Sequence, residues 1–466
     1  MPEFARRTRL PHPPKAVWEW YLRPGAFARL SPPWDPIEVV AWAPIERGAR
    51  QELVVHKGRG WRWTAQITEV DPGRSFTDVQ ERGPFARWEH HHAFLPADHG
   101  TDLEDRIRWE PPLGALGQLV AGSMIERDLE RTFAFRHART GHDLARHARF
   151  AADGTRRVAL SGASGLIGGD LAAFLGGGGH EVLRLVRRPV HNPREVQWRP
   201  EAERIDATRL EGVHAVVHLA GETTAQRWTD AAKQRIRDSR VRGTRLLSET
   251  LAGLDRRPDV LVCASAVGIY GDRGDEELDE QSAPGIGFLA QVCQEWEQAT
   301  EAARRAGIRV VNLRLGVVLD PRGGALGKLL PLYRLGLGGR VGRGTQFWPW
   351  IALDDVVGLI EHAIFDESLS GRVNAVALEH TTQAELSEVL GGVLHRPKLV
   401  RVPGPEVRLL FGEMGKEQLL FSRRVAPSRA TAAGFPFLYP SLEPALRAML
   451  GRLPEPTSPH SPEVER

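Results

Sequence analysis

Two cysteines in 466 residues, Cys263 and Cys293, leave no material for a disulfide framework and fit a reducing compartment. No apolar run approaches the roughly 18 residues that a membrane-spanning helix needs. The opening residues, MPEFARRTRL, lack the apolar centre of a signal peptide, so a cytoplasmic protein is expected. Lysine is scarce, and arginine supplies nearly all of the 62 basic side chains. The formal net charge is only +3, and the basic residues alternate with acids, as in ERDLERTFAFRHARTGHD (126–143). That interleaving points away from a nucleic-acid surface. What remains is ordinary globular composition, 41% hydrophobic and 26% charged, over a length that calls for two or three domains.

Residues 1–150 hold eight of the thirteen tryptophans. After a helix expected near KAVWEWYL (15–22), four stretches alternate with period two: RQELVVHK (50–57), GWRWTAQITEV (60–70), ARWEHHHAFLP (86–96) and TDLEDRIRWEPP (101–112). Gly, Pro and Asp break them apart, which predicts an antiparallel sheet. A long helical pattern follows over 116–141. This order, together with PPWDPIEVV (32–40) and WEHHHAF (88–94), resembles the START/polyketide-cyclase-like helix-grip fold. The resemblance implies an α+β domain with a pocket for an apolar ligand. His90 and His92 fall on one face of their strand and His91 on the other. With no further Cys/His pair at metal spacing, they read as structural or pocket-lining residues, and no metal is assigned.

A linker, ARFAADGTRR (148–157), leads into a different grammar of short apolar runs alternating with helical patterns, the mark of a parallel α/β sheet. RVALSGASGLIGGDLAAFL (157–175) reads as strand, tight turn and helix; EVLRLVRR (181–188), HAVVHLAG (214–221), DVLVCASAVGIYG (259–271) and RVVNLRLGVVL (309–319) read as later strands. Within the turn, Gly162, Gly165 and Gly168 form a G-x-x-G-x-x-G pattern, so Gly162, Ala163, Ser164, Gly165, Leu166, Ile167 and Gly168 are the expected phosphate loop. The glycines permit the turn, the approach of a pyrophosphate and close helix–strand packing. The run Gly176–Gly179 reads instead as a glycine-rich turn of no function. Arg187 and Arg188 end the second strand where an acid would hold the ribose of NAD, which favours NADP(H) over NAD(H). His218, Leu219, Ala220 and Gly221 are expected to line the adenosine side, with a plain core-strand terminus as the alternative.

The segments HLAGETTAQRWTDAAKQRIRDSRVRGT (218–244), SAVGIYG (265–271), LRLGVVLDPRGGALGKLLP (313–331), GGRVGRGTQFWPWIALDDVV (338–357), RVPGP (401–405) and RVAPSRATAAGFPFLYPSLEPAL (424–446) resemble one family. It is the epimerase-like family of atypical extended short-chain dehydrogenases, with its own C-terminal extension. The resemblance covers roughly 157–450 and implies a Rossmann fold, NADP binding and oxidoreductase or epimerase-type chemistry. The parts expected are a helix-grip domain at 1–150, a Rossmann domain at 156–380, the extension at 381–452 and a disordered tail at 453–466.

One departure stands out. The superfamily usually carries Tyr-x-x-x-Lys on a helix, but GFLAQVCQEWE (287–297) has neither residue. Aligning Glu297 with the glutamate that often follows that motif puts Leu289 at the tyrosine position and Cys293 at the lysine position. Leu289, Val292, Cys293 and Trp296 make an apolar stripe, so packing is the expected role of this helix. Four groups remain as catalytic candidates. Ser265 would polarise a carbonyl, Tyr270 would point into the pocket, Glu222 would supply a carboxyl group and Lys328 would orient an anionic substrate. Each has a plain alternative: strand-end turn for Ser265, core for Tyr270, surface for Glu222 and Lys328. The leading expectation is an NADP-dependent oxidoreductase for a small carbonyl or alcohol, with an apolar one among the candidates. A nonenzymatic NADP-responsive binding protein is the alternative, and a strict nucleotide-sugar epimerase is disfavoured by the missing tyrosine.

Overall fold

The structure is a computed structural model that describes residues 1–55 and 60–452; the tail expected at 453–466 and the end of the RQELVVHK stretch lie outside the described residues. The first part is one antiparallel sheet of β1 (Glu3–Leu10), β2 (Ile37–Ala41), β3 (Arg50–Val55), β4 (Trp61–Asp71), β5 (Ser75–Arg82), β6 (Arg87–Ala97) and β7 (Gly100–Glu110). Its order is β1-β7-β6-β5-β4-β3-β2. Helices α1 (Pro14–Leu22) and α2 (Ala26–Leu30) join the first two strands, and α3 (Gly114–Ala148) packs on the sheet. Three strands, β1, β2 and β5, are additional to the sequence reading. β1 pairs with β7 from Glu3 opposite Arg108 to Leu10 opposite Thr101, a partner far along the chain that local pattern does not reveal. α3 also continues past Gly141 to Ala148. Its last turns are held by tertiary packing through buried Thr140, Asp143, Leu144 and Arg146, which overrides the helix-weakening glycine.

The second part contains β8 (Arg157–Ser161), α4 (Leu166–Gly177), β9 (Glu181–Val186), β10 (Glu195–Arg199), β11 (Arg204–Ile205), β12 (Ala215–His218), α5 (Asp230–Ala252) and β13 (Val260–Ala266). It continues with β14 (Glu277–Leu278), α6 (Phe288–Gln298), α7 (Glu301–Arg305), β15 (Arg309–Leu315), β16 (Val317–Asp320), α8 (Gly324–Arg334), β17 (Trp350–Ala352), α9 (Leu353–Phe365) and β18 (Gly371–Ala375). The main sheet runs β11-β10-β9-β8-β12-β13-β15-β18, parallel except for the β10–β11 hairpin. Both faces are covered, as a parallel sheet requires. Val158 and Leu160 of β8 pack with Leu171, Phe174 and Val357, while Ala159 packs with Leu183, Leu247 and Leu251 on the other side. The chain reverses its direction of spread between β8 and β12, so their carboxyl ends flank the crevice where such sheets bind ligands.

The extension holds α10 (Gln383–Leu394), α11 (Gly404–Gly415), β19 (Arg424–Val425), α12 (Ser428–Ala432) and α13 (Leu442–Met449). It is stitched to the sheet's functional end in two places. β19 pairs with β14, and Glu417 accepts the backbone N–H groups of Phe288 and Leu289 at 2.8 and 3.0 Å, capping α6 with an anion. No helix among the described residues is long and apolar enough to cross a membrane.

The two large parts are locked together, and here the reading of Gly176–Gly179 is corrected. A Cβ on Gly176 would lie 2.5 Å from the Pro24 carbonyl oxygen, and one on Gly177 would lie 3.0 Å from the Trp20 indole nitrogen. Arg23 donates to the Gly177 carbonyl at 3.0 Å. On the facing side, Gly25 at φ +106° sits so close that a Cβ would overlap the Ala173 carbonyl. These glycines are bare backbone on which the helix-grip part seats. Beside them lies a buried ion network. Arg29 donates to both oxygens of Asp143 at 2.8 Å, to Asp170 of α4, and to Asp354 of α9 at 3.1 Å. Arg139 of α3 also holds Asp354, and Arg146 holds Asp355 at 2.8 Å.

Candidate functional site

The glycine loop is built by exclusion. Gly162 has φ +73°, and a Cβ there would lie 2.9 Å from the Leu219 carbonyl carbon. A Cβ on Gly168 would overlap the Gly162 carbonyl oxygen. These two positions therefore fold the loop. Gly165 differs: its φ of −82° suits any residue, and the one neighbour within reach of a Cβ is the Gly162 oxygen at 3.3 Å. Ser164 and Gly165 are exposed, Ala163, Leu166 and Ile167 half-buried, and the first-turn N–H groups of α4 have no intrahelical acceptor. The loop thus offers free donors and the positive end of a helix dipole to an anion, with no side chain in the way.

The loop is tied to the end of β12. The Ser161 hydroxyl accepts the N–H groups of Leu219 and Ala220 at 3.1 and 3.3 Å. Its proton then points to His218 Nδ1, 2.6 Å away. His218 is wholly enclosed, and burial lowers its pKa to about 4. Its imidazole is a neutral strut that fixes the loop, not a side chain facing the adenosine, which corrects the expectation for that residue. Leu219 and Ala220 are half-buried and Gly221 is exposed at the crevice.

The two arginines part company. Arg188 grips Glu195 through both terminal nitrogens, at 2.9 and 2.5 Å. That hydrogen bond, with one from the His191 N–H, holds Glu195 down at about 2. Arg187 is exposed and, among the described residues, makes a long contact of 3.9 Å to the exposed Glu201. Sequence reading treated the pair as equivalent because Glu195 arrives from the next strand.

The catalytic candidates fall into two groups. Ser265 is 2% exposed and donates to Glu297 at 2.8 Å. Arg314 of β15 grips the same carboxylate at 2.7 and 2.9 Å and donates to the Tyr270 hydroxyl at 2.9 Å. Tyr270 is fully buried, with Asn374 and the Asp279 carbonyl at 2.7 and 2.8 Å. Burial raises its pKa against the pull of Arg314. Both hydroxyls are thus engaged inside a closed, buried network. Leu289 packs on Gly268, and Cys293 is buried with its thiol pushed up to about 11. Glu222 and Lys328 lie elsewhere. Glu222 is half-buried and accepts from Gln226 and Arg235 at 3.0 Å, bonds that keep its carboxyl below the usual range. Lys328 is exposed and donates to the Ala225 carbonyl at 3.3 Å, so α8 and the loop after β12 stand side by side. Gly323, just before α8, would place a Cβ 3.5 Å from Leu166, which brings this pair of elements to the rim of the glycine loop.

A cleft of about 770 Å³ opens between the extension and the loop after β13. Exposed Arg343 and Arg408 line it with Gln346, Phe347 and Leu420. Sequence motifs give no sign of these arginines as site residues, since they come from segments with no shared spacing.

The chain matches the NAD dependent epimerase/dehydratase family over residues 158–375. An epimerase family protein of Mycobacterium bovis is 44% identical over 290 residues, spanning 62% of this chain and 96% of that protein. The chain belongs to the epimerase family. Human epimerase family protein SDR39U1 is 34% identical over 300 residues, spanning 63% of this chain and 99% of that protein. This epimerase-family chain carries further matches, to a domain of unknown function at 402–449 and to the polyketide cyclase / dehydrase and lipid transport family at 10–135. The crystal structure of a nucleoside-diphosphate sugar epimerase from Corynebacterium glutamicum superposes with TM-score 0.79 at 34% identity, covering 96% of this chain and 90% of that one. Human SDR39U1, crystallised with NADPH, superposes with TM-score 0.58 at 32% identity, covering 64% of this chain and all of that one. The Rossmann fold of an atypical epimerase family, behind a polyketide-cyclase-like domain, is therefore the architecture of this protein.

Proposed function

We propose that this epimerase-family protein binds NADPH along the β8–β12 crevice and acts as an oxidoreductase on a carbonyl or alcohol that carries negative charge. The observation that carries the cofactor assignment is the open, side-chain-free loop at Gly165 beneath the α4 N-terminus. The residues present fit the group: Ser164 and Gly165 would meet the pyrophosphate, and Arg187 the 2′-phosphate. NADPH supplies a hydride equivalent when bound. The chain's own part is to place the substrate and handle the proton on its oxygen. Arg343 and Arg408 would anchor the negative charge, with Lys328 orienting the substrate at the rim. Glu222, held ionised by Gln226 and Arg235, suits proton acceptance from an alcohol more than donation. The NADPH bound to human SDR39U1 supports this reading.

Arg187→Ala should weaken NADPH by about tenfold or more, the scale of one charge-assisted contact, and leave NADH nearly unchanged. Titration followed by tryptophan fluorescence measures both, and equal losses for the two cofactors would remove Arg187 from the 2′-phosphate.

For the reaction, NADPH oxidation across a panel of anionic carbonyl compounds and nucleotide sugars is the test. With a turned-over substrate in hand, Lys328→Met should reduce kcat/KM by about 10²-fold or more while NADPH affinity holds. Cys293→Ala should stay within a few-fold of wild type.

One observation favours a second reading. The Ser265–Glu297–Arg314–Tyr270 network leaves no hydroxyl of the usual set free, as a nonenzymatic NADP-responsive binding protein would allow. In that case the helix-grip part holds an apolar ligand, beside the exposed Leu116, Leu119 and Val120 of α3. NADPH binding with no turnover across the panel, alongside uptake of a fatty-acid probe, would select it.

A further inference from the structure

The face of the first sheet that meets α3 gathers a group of side chains that the epimerase-family site does not use. Register places Asp78 of β5 opposite His90 of β6, and His92 opposite Asp105 of β7, so all four point to one face. Asp105 is the hub. Its Oδ1 lies 2.8 Å from His90 Nε2 and 2.7 Å from His92 Nδ1, and its Oδ2 lies 2.6 Å from His137 Nε2 on α3. Phe76 stacks on His92 with ring centroids 4.1 Å apart, and Phe133 sets its edge against His90 at 5.2 Å. The imidazoles are therefore held in orientation from two sides.

The other ring nitrogens converge. His90 Nδ1 is 3.5 Å and His92 Nε2 is 3.4 Å from the same Asp78 oxygen. If His90 gives its one N–H to Asp105 and His92 keeps its proton on Nδ1, close to Asp105 but not aligned for a hydrogen bond, both of the other nitrogens present lone pairs to a carboxylate oxygen, which has lone pairs only. Three acceptors facing one point repel unless a cation sits among them. A proton can bridge one pair, yet both separations exceed the usual 2.7–3.2 Å of a hydrogen bond. A tetrahedral zinc with bonds of about 2.0–2.2 Å holds its ligand atoms about 3.3–3.5 Å apart. The two distances match that edge length.

We propose that Asp78 Oδ2, His90 Nδ1 and His92 Nε2 form a three-ligand site for a divalent transition ion of the zinc type, with Asp105 as its supporting carboxylate. A carboxylate that takes the second N–H of metal-bound histidines is the usual way such ligands are fixed. Three protein ligands leave a coordination position open. Asp78 carries no sequence cue as a ligand, since it lies twelve residues before His90 and on a different strand.

The test uses the full chain, stripped with a chelator and titrated with zinc alone by calorimetry and metal analysis. One equivalent per chain is expected. Asp78→Asn and His92→Gln should each weaken binding by about a hundredfold or more, and Asp105→Asn by about 10–100-fold. NADPH affinity measured on the same samples reports whether each variant is folded. Cobalt on the wild-type chain stands independently of any variant: intense visible d–d bands support the site, and a spectrum like that of the free ion overturns it. Zinc bound undiminished in both Asp78→Asn and His92→Gln would place the ion elsewhere, for instance at His147, His180 and Glu361, and would also overturn it.

Discussion

Arg29→Ala will unfold this protein at markedly lower denaturant than any other single arginine change at the interface. Arg29 is 3% exposed and holds Asp143, Asp170 and Asp354, themselves 1%, 8% and 8% exposed. Removing the cation leaves buried carboxylates without their partner, a loss of about 3–5 kcal/mol. Arg29→Lys should recover only part of it, because one ammonium cannot reproduce the fork on Asp143 while reaching two more carboxylates. The midpoint of urea unfolding measures the effect, and a midpoint equal to wild type would show that the network is dispensable. The pH dependence has a definite sign. Burial alone would raise the Asp354 and Asp143 carboxyls, but Arg139 and Arg29 override it and hold both below their usual values. Folded pKa values below the unfolded value of about 4 mean that this stability is present above about pH 4 and drains away as pH falls further. Asp355, pushed up by burial in spite of Arg146, works weakly in the opposite sense. Arg29→Ala should therefore lose the share of this acid dependence that Arg29 supplies, mainly at Asp143, while Arg139 keeps its share at Asp354.

Gly168→Val will abolish measurable NADPH binding, by about a hundredfold or more, equivalent to about 2.7 kcal/mol. The added side chain cannot coexist with the Gly162 carbonyl, so the loop must open and its donors lose their common focus. Gly165→Ala makes the contrast. Its backbone suits alanine, so the fold should survive with an unchanged unfolding midpoint, while the methyl group stands where a pyrophosphate would approach. A loss of about tenfold in NADPH affinity is expected there, roughly one good hydrogen bond. Titration by tryptophan fluorescence separates the two cases. Full affinity in Gly168→Val would move the cofactor away from this crevice.

Local chemistry made the glycine loop legible, because turn, dipole and close packing all act within a dozen residues. The parallel sheet was legible from its apolar runs. Relationships across the chain were not. Ser265 and Tyr270 carried the residue types of a catalytic pair, but Glu297 and Arg314, which consume their hydroxyls, sit on another helix and another strand. Arg188 carried the right charge beside the wrong neighbour, since Glu195 meets it only when β10 aligns with β9. His218 occupied the expected strand end, yet its side chain turned into the core. Strand register, not spacing, brought Asp78 to His90. Gly176–Gly179 offered no sequence cue at all, because what Gly176, Gly177 and Gly179 accommodate belongs to residues 20–25 and what Gly178 accommodates includes His147 of α3.

That seam of bare backbone has a consequence for how the molecule responds to what it binds. With Pro24 and Trp20 resting on Gly176 and Gly177, and Arg29 bonded across to Asp170 and Asp354, neither module can melt without stripping charges and backbone from the other. Calorimetry should accordingly register one endotherm for the protein instead of two. Mass action then extends across the seam: any ligand that favours one native module raises the common transition by RT ln(1 + [L]/Kd). The helix-grip part thereby shares in the occupancy of the Rossmann part, through joint survival and with no moving component between them.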